Sequence, residues 1–146
     1  MPTAKDLMTT DVLPVSPDDS VELAISRMLE HGLSSLPVVD GSGSLLGQIS
    51  EYDLLDLAWF PKTGKDKVYH HMSRQTHQVA EDETLEEIAE RFRTLSVRRL
   101  AVTHGGRLIG MIGRSDLLRY VLKARGAKAV TDVAAVDVPQ PTPVWL

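Results

Sequence analysis

Two carboxylates stand in matching frames, Asp53 in GQISEYDLL (Gly47 to Leu55) and Asp116 in GMIGRSDLL (Gly110 to Leu118). Each is followed by a leucine pair that opens a helical pattern. An acid in a first helical turn presents two acceptor oxygens beside backbone N–H groups that have no helical partner. It can therefore take both hydroxyls of a ribose while those N–H groups face a phosphate. The same position has an architectural use: with Ser50 at the N-cap, Asp53 completes a capping box that stabilises by ~1 kcal/mol. Gly113 replaces that serine in the second frame, leaving Asp116 the helix dipole as its architectural reason. Gly47 and Gly110, on strands just before the acids, would let a flat base or sugar approach the backbone.

Basic residues gather near the second frame. Residues 91–128 carry ten Lys or Arg against Asp116 alone, a net +9, whereas residues 1–60 carry Lys5 and Arg27 against ten acids, a net −8. Arg98, Arg99 and Arg114 offer guanidinium forks that suit phosphate oxygens. Solvated charge, or attraction between acidic and basic halves of neighbouring copies, would use the same arginines. Single-strand nucleic-acid platforms need exposed rings, and this stretch holds only Phe92 and Tyr120, so nucleic acid ranks as a minor alternative.

Other chemistries find no foothold. The absence of cysteine excludes disulfides, thiolate metal sites and cysteine nucleophiles. His70 and His71 are adjacent and point apart, and the other histidines lack paired carboxylates, so no metal site is expected. KTGK falls short of a phosphate loop, and no spacing proposes a nucleophile and base, so no catalytic residue and no enzyme activity is expected. No apolar run approaches the ~20 residues of a membrane span, which makes a cytoplasmic location the expectation.

The elements that position these residues occur twice. A shift of 64 residues lays Met8 on Met72, Glu22 on Glu86, Arg27 on Arg91, Leu36 on Leu100 and Val38 on Val102. A turn one residue shorter then changes the shift to 63, laying Gly47 on Gly110 and Asp53 on Asp116. Within each copy, apolar residues recur at helical spacing: Val21, Ala24, Ile25, Met28 and Leu29, then Leu85, Ile88, Ala89, Phe92 and Leu95. Gly32 stops the first helix, and Thr84 with Glu87 forms a capping box for the second. Two short apolar strands about a glycine turn read as a hairpin, with a closing helix after each leucine pair. Residues 1–58 and 68–125 form the copies, residues 59–67 a linker, and residues 126–146 a proline-rich tail.

The doubled pattern of a methionine-led extended segment (DLMTTDVLPVSPDDS; YHHMSRQTHQVAEDET), a helix, a LPVVD-like strand and a glycine-to-aspartate motif resembles tandem CBS domains, named for cystathionine β-synthase. The pairing is called a Bateman module. The resemblance implies an α+β fold of two β-α-β-β-α repeats packed with pseudo-two-fold symmetry. It also implies a cleft between them for an adenosine ligand, AMP, ADP, ATP or S-adenosylmethionine, with no cofactor required. It further implies homodimers formed through helices, with Leu54, Leu57, Leu117, Leu118 and Val121 available here, and an effector protein that reads the ligand state.

Carried onto this sequence, the resemblance assigns Asp53 to ribose, Ser50 to ribose or phosphate, Val12, Leu13 and Pro14 to adenine, and Leu36 and Pro37 to an apolar wall. For the second site it assigns Asp116 to ribose, His77, Gln78 and Val79 to the lead-in strand, and Leu100 and Ala101 to the wall. Gly113 and Ala101 depart from the family's hydroxyl and proline. Arg98, Arg99 and Arg114 are expected to compensate, making the second site the preferred one for phosphate. The rival expectation is a module that dimerises without ligand, its aspartates serving only as caps.

Overall fold

The structure, a computed structural model, describes residues 1–59 and 66–126. The rest of the expected linker and residues 127–146 of the tail lie outside the described residues. A short helix α1 (Ala4–Leu7) opens the first repeat, which continues through α2 (Val21–His31), β1 (Ser35–Val39), β2 (Leu45–Ser50) and α3 (Glu51–Leu54). The second repeat contains β3 (Gln78–Ala80), α4 (Leu85–Thr94), β4 (Arg99–His104), β5 (Arg107–Gly113) and α5 (Arg114–Ala124).

Local chemistry sets the helix ends. Ser20 Oγ accepts from the Leu23 N–H at the start of α2, and Gly32 closes it in the left-handed conformation (φ 63°) that suits glycine. Thr84 caps α4 through the Glu87 N–H. Val21, Ala24 and Met28 are buried as the helical spacing predicts, but Leu29 is 77% exposed on the outer side of α2. The closing helices differ from expectation: α5 begins at Arg114, three residues before the leucine pair, and α3 tightens into a 3₁₀ turn over Leu55–Ala58.

Strand alternation sorts residues between two faces. In β1 and β2, Leu36, Val38 and Ile49 enter the first core, and in β4 and β5, Leu100, Val102 and Ile112 enter the second. Their neighbours Ser35, Pro37, Gln48, Arg99 and Ala101 therefore occupy the opposite faces. The β1–β2 register pairs Ser35 with Ser50, and the β4–β5 register pairs Arg99 with Gly113, the duplicated equivalents. Both hairpins bulge at the same place, between Val38 and Val39 and between Val102 and Thr103. The lead-in is a regular strand only in the second repeat, where β3 runs parallel to β4, while Val15 makes a single parallel bridge to Val38 in the first.

The two repeats exchange their leading arms. Ala4 is buried in the second core, and its duplicated equivalent Val68 is buried in the first. Ala4 N–H donates to Glu83 O and Val68 N–H to Asp19 O; Leu85 N–H donates to Pro2 O and Val21 N–H to Asp66 O. Further along, Thr9 bridges Met111 and Ser73 bridges Gln48. This reciprocity is the pseudo-two-fold relation. It also explains the two strand glycines. A Cβ on Gly47 would collide with Ser73 O and Met72 Cε, and one on Gly110 would lie 2.5 Å from Met8 Sδ and 2.9 Å from Thr9 O. The space expected to admit a base or sugar is filled by the partner repeat's arm. The hairpin tips also meet, Leu45 N–H donating to Gly106 O (2.9 Å) and Leu108 N–H to Gly43 O (3.0 Å).

Candidate functional site

The strand faces turned away from the two cores look toward each other, and a cleft runs between them in three connected parts. The central part is lined by Ser35, Pro37 and Gln48 with their duplicated equivalents Arg99, Ala101 and Met111, together with Thr76 and His77. It therefore lies on the pseudo-two-fold axis. One side opens onto Asp11, Leu13, His31, Leu33, Leu36 and Pro37. Another, of about 350 Å³, is lined by Ser34, Ser35, Gln48, Ser50, Glu51, Tyr52, Ser96, Val97, Arg98 and Arg99. That is within the size range of small-molecule sites.

Arg99 reaches all three parts. Its guanidinium is half-buried, and Nη1 is shielded from solvent with no hydrogen-bond partner among the described residues. Burial pulls its pKa below the ordinary value, opposed by the charge of Asp116. An orphaned buried donor of this kind is uncommon and is relieved by an acceptor. Arg98 is exposed in the wider part of the cleft. Arg114 is turned elsewhere, its Nη2 donating to Val97 O at 2.9 Å, so it fastens the loop before β4.

Both aspartates cap their own helices. Asp53 Oδ2 accepts from the Ser50 N–H and Oγ, each at 2.9 Å, and Ser50 Oγ accepts from the Asp53 N–H at 3.2 Å. Asp116 Oδ2 accepts from the Gly113 N–H at 2.7 Å, so half of the capping box survives without a hydroxyl, and Oδ1 pairs with Arg119 at 2.6 Å. A carboxylate has about four acceptor positions, so both retain capacity. Asp53 has the more open one, because its Oδ1 makes no hydrogen bond among the described residues.

The remaining predicted positions divide. Ser50, Leu13, Leu36, Pro37, His77, Ala101, Arg98 and Arg99 border the cleft. Pro14 O is taken by Arg27 Nη1, and Val12 N–H by Thr10 O. Gln78 is exposed and accepts from Thr103 Oγ1. The Leu100 and Val79 side chains are sealed in the second core. Sequence grouping puts Arg98 and Arg99 with Asp116, whereas their cleft neighbours include Ser34, Ser35 and Ser50 of the first repeat. Gln48 and Thr76 were not anticipated, although alternation from buried Ile49 carries the signal for Gln48.

The CBS domain model matches residues 4–59 and again residues 67–123. The chain belongs to the CBS-domain family. Its two repeats make it a CBS pair, and the solved CBS pairs share its fold. The structure of CBSX2 in complex with AMP is 31% identical with a TM-score of 0.76, the match covering 86% of this chain and 99% of that one; CBSX2 is a CBS-pair protein from Arabidopsis thaliana. The CBS domain-containing protein YhcV of Bacillus subtilis is 30% identical over 94% of this chain and 99% of its own length. Inosine-5'-monophosphate dehydrogenase of Methanocaldococcus jannaschii is 35% identical over 93% of this chain, which spans 27% of that protein. Among the described residues of this CBS pair no helix is long and apolar enough to cross a membrane, and no group of three His, Asp or Glu is placed to hold a metal.

Proposed function

We propose that this CBS pair is a regulatory module that binds an adenosine nucleotide in the cleft between its repeats and signals its occupancy to an effector protein or to its own oligomer. The observation that carries the reading is the cleft itself, one part of which is lined by Leu13, Leu36 and Pro37 and another by the donors Ser50 and Arg98, with Arg99 bordering both. Such a division suits a ligand with a flat apolar end and an anionic end. CBSX2, matched over nearly its whole length, was solved with AMP, which supports an adenine nucleotide here. In this reading the base lies against Leu13 and Pro37, Asp53 Oδ1 takes a ribose hydroxyl, and the phosphate meets Ser50 and the two guanidinium groups. The arms carry the signal, because Leu13 and His77 belong to segments that cross between repeats.

A second reading has its own observation. Both aspartates are accounted for as caps, and an apolar groove formed by Ile25, Leu29, Leu54, Leu55 and Ala58 lies open on the helical side. Leu118 and Val121 are likewise exposed on α5, while Leu57 and Leu117 pack against the cores. A module that dimerises through helices and binds nothing would present these surfaces. Calorimetry with AMP, ADP, ATP, adenosine and S-adenosylmethionine, alongside sedimentation, separates the two. Heat of binding from an adenine nucleotide at micromolar to millimolar concentration supports the sensor, and a dimer that takes up none of them refutes it.

A further inference from the structure

Duplication would place two equivalent anion sites in the cleft, yet the side chains that could form them are unequal. The strand position holding Arg99 in the second repeat holds Ser35 in the first, and both line the axial cavity. One guanidinium therefore stands beside the pseudo-two-fold axis where symmetry would give two or none. It also borders the part of the cleft beside Leu13 and Leu33 of the first half-site, and in the axial cavity it stands with His77 and Ala101 of the second, so a ligand in either half-site brings its charged end to the same group. Its shielded Nη1 has no acceptor among the described residues, which is the arrangement an incoming anion completes.

We infer that Arg99 is a single anion pole shared by both half-sites, so the CBS pair binds one phosphate-bearing ligand per chain and the two half-sites exclude each other. The inference rests on the nucleotide reading for the identity of the ligand but not for the pole. Two phosphates on one guanidinium repel at close range, which weakens a second ligand by about 100-fold or more. A neutral adenosine carries no such penalty. The chain would then report which ligand occupies a single seat, rather than the sum of two.

The test is calorimetry on the full chain with two probes, pyrophosphate and AMP, for wild type, Arg99→Met and Arg99→Lys. Wild type is expected to bind one pyrophosphate and one AMP per chain, each displacing the other. Arg99→Met is expected to lose pyrophosphate binding and to weaken AMP at least tenfold, with adenosine affinity unchanged within twofold; Arg99→Lys, which keeps the charge without the fork, falls between. Circular dichroism checks that each variant folds, and if Arg99→Met does not, Arg99→Lys decides. Two AMP molecules per chain of similar affinity, or pyrophosphate binding indifferent to both substitutions, overturns the inference. Pyrophosphate bound through Arg99 with no binding of AMP, ADP or ATP upholds the pole and refutes the nucleotide reading alone. No binding of any probe refutes both.

Discussion

Replacing Gly47 with alanine tests whether the exchanged arm holds the first repeat together. The new methyl would overlap Ser73 O, a backbone atom, and approach Met72 Cε at 2.7 Å. Met72 can turn aside, but the Ser73 carbonyl is held by the Gln48 N–H at 2.9 Å, while Ser73 N–H donates to Gln48 O at 2.8 Å. Relief therefore requires moving the arm and giving up both bonds, about 1 kcal/mol each. Overpacking the remaining contacts adds about 1.5 kcal/mol, for a total of about 3.5 kcal/mol. At about 2–4 °C per kcal/mol for a chain of this size, the melting temperature should fall by about 7–14 °C. Gly110→Ala meets Met8 Sδ and, less deeply than at Gly47, the backbone Thr9 O at 2.9 Å, which the Met111 N–H holds, and should lose about 2.5 kcal/mol. Gly41→Ala has nothing within 4 Å and should stay within about 0.5 kcal/mol of wild type. Thermal denaturation by circular dichroism ranks the three. If Gly47→Ala melted with Gly41→Ala, the arm would not be packed as described.

Asp53→Ala and Asp116→Ala should each lose about 1 kcal/mol of stability as caps; calorimetry should show AMP affinity falling more for Asp53→Ala, whose Oδ1 pairs with no cation among the described residues, and equal affinities would refute the ribose assignment. Arg99→Met should melt no lower than wild type, because it removes a partly desolvated charge with an unpartnered donor; a loss of more than about 5 °C would show an unseen structural role. Asp40 is held below its ordinary pKa, first by the Ser42 hydroxyl and then by the Ser44 N–H, across the turn of the first hairpin. Its depressed pKa means that the contribution is present above the unfolded value and is lost as pH falls through the folded one. The melting difference between wild type and Asp40→Asn should therefore shrink from about pH 4 downward, and a difference that grew in acid would reverse the sign.

Much of this architecture is legible because it follows short periods. The helical stripe through Val21, Ala24 and Met28, the strand alternation through Leu36 and Val38, and the duplication itself are written in neighbouring side chains. Leu29 misleads because a stripe read from spacing alone does not show how much of a helix its neighbours cover. At the second repeat's expected wall, alternate residues of one strand face different layers, so the core takes the Leu100 side chain while Arg99 and Ala101 border the cleft. The partners of Arg98 and Arg99 were hidden because the cleft brings together side chains 64 residues apart, and nothing local pairs Arg99 with Ser35. The exchange of arms is carried by backbone hydrogen bonds and by the small buried side chains Ala4 and Val68, which form no periodic pattern, and Gly47 and Gly110 read equally well as room for a ligand.

That exchange makes the pair behave as one thermodynamic body. Each core contains a residue supplied by the other repeat's arm, Ala4 in one and Val68 in the other. Opening either repeat strips the arm from its neighbour as it goes. The amides of Val68 and Ala4, far apart in sequence, should accordingly exchange with solvent only through the same global opening and at similar rates. Fragments severed between the two copies should remain unfolded apart and recover structure when mixed, each bringing the piece the other lacks.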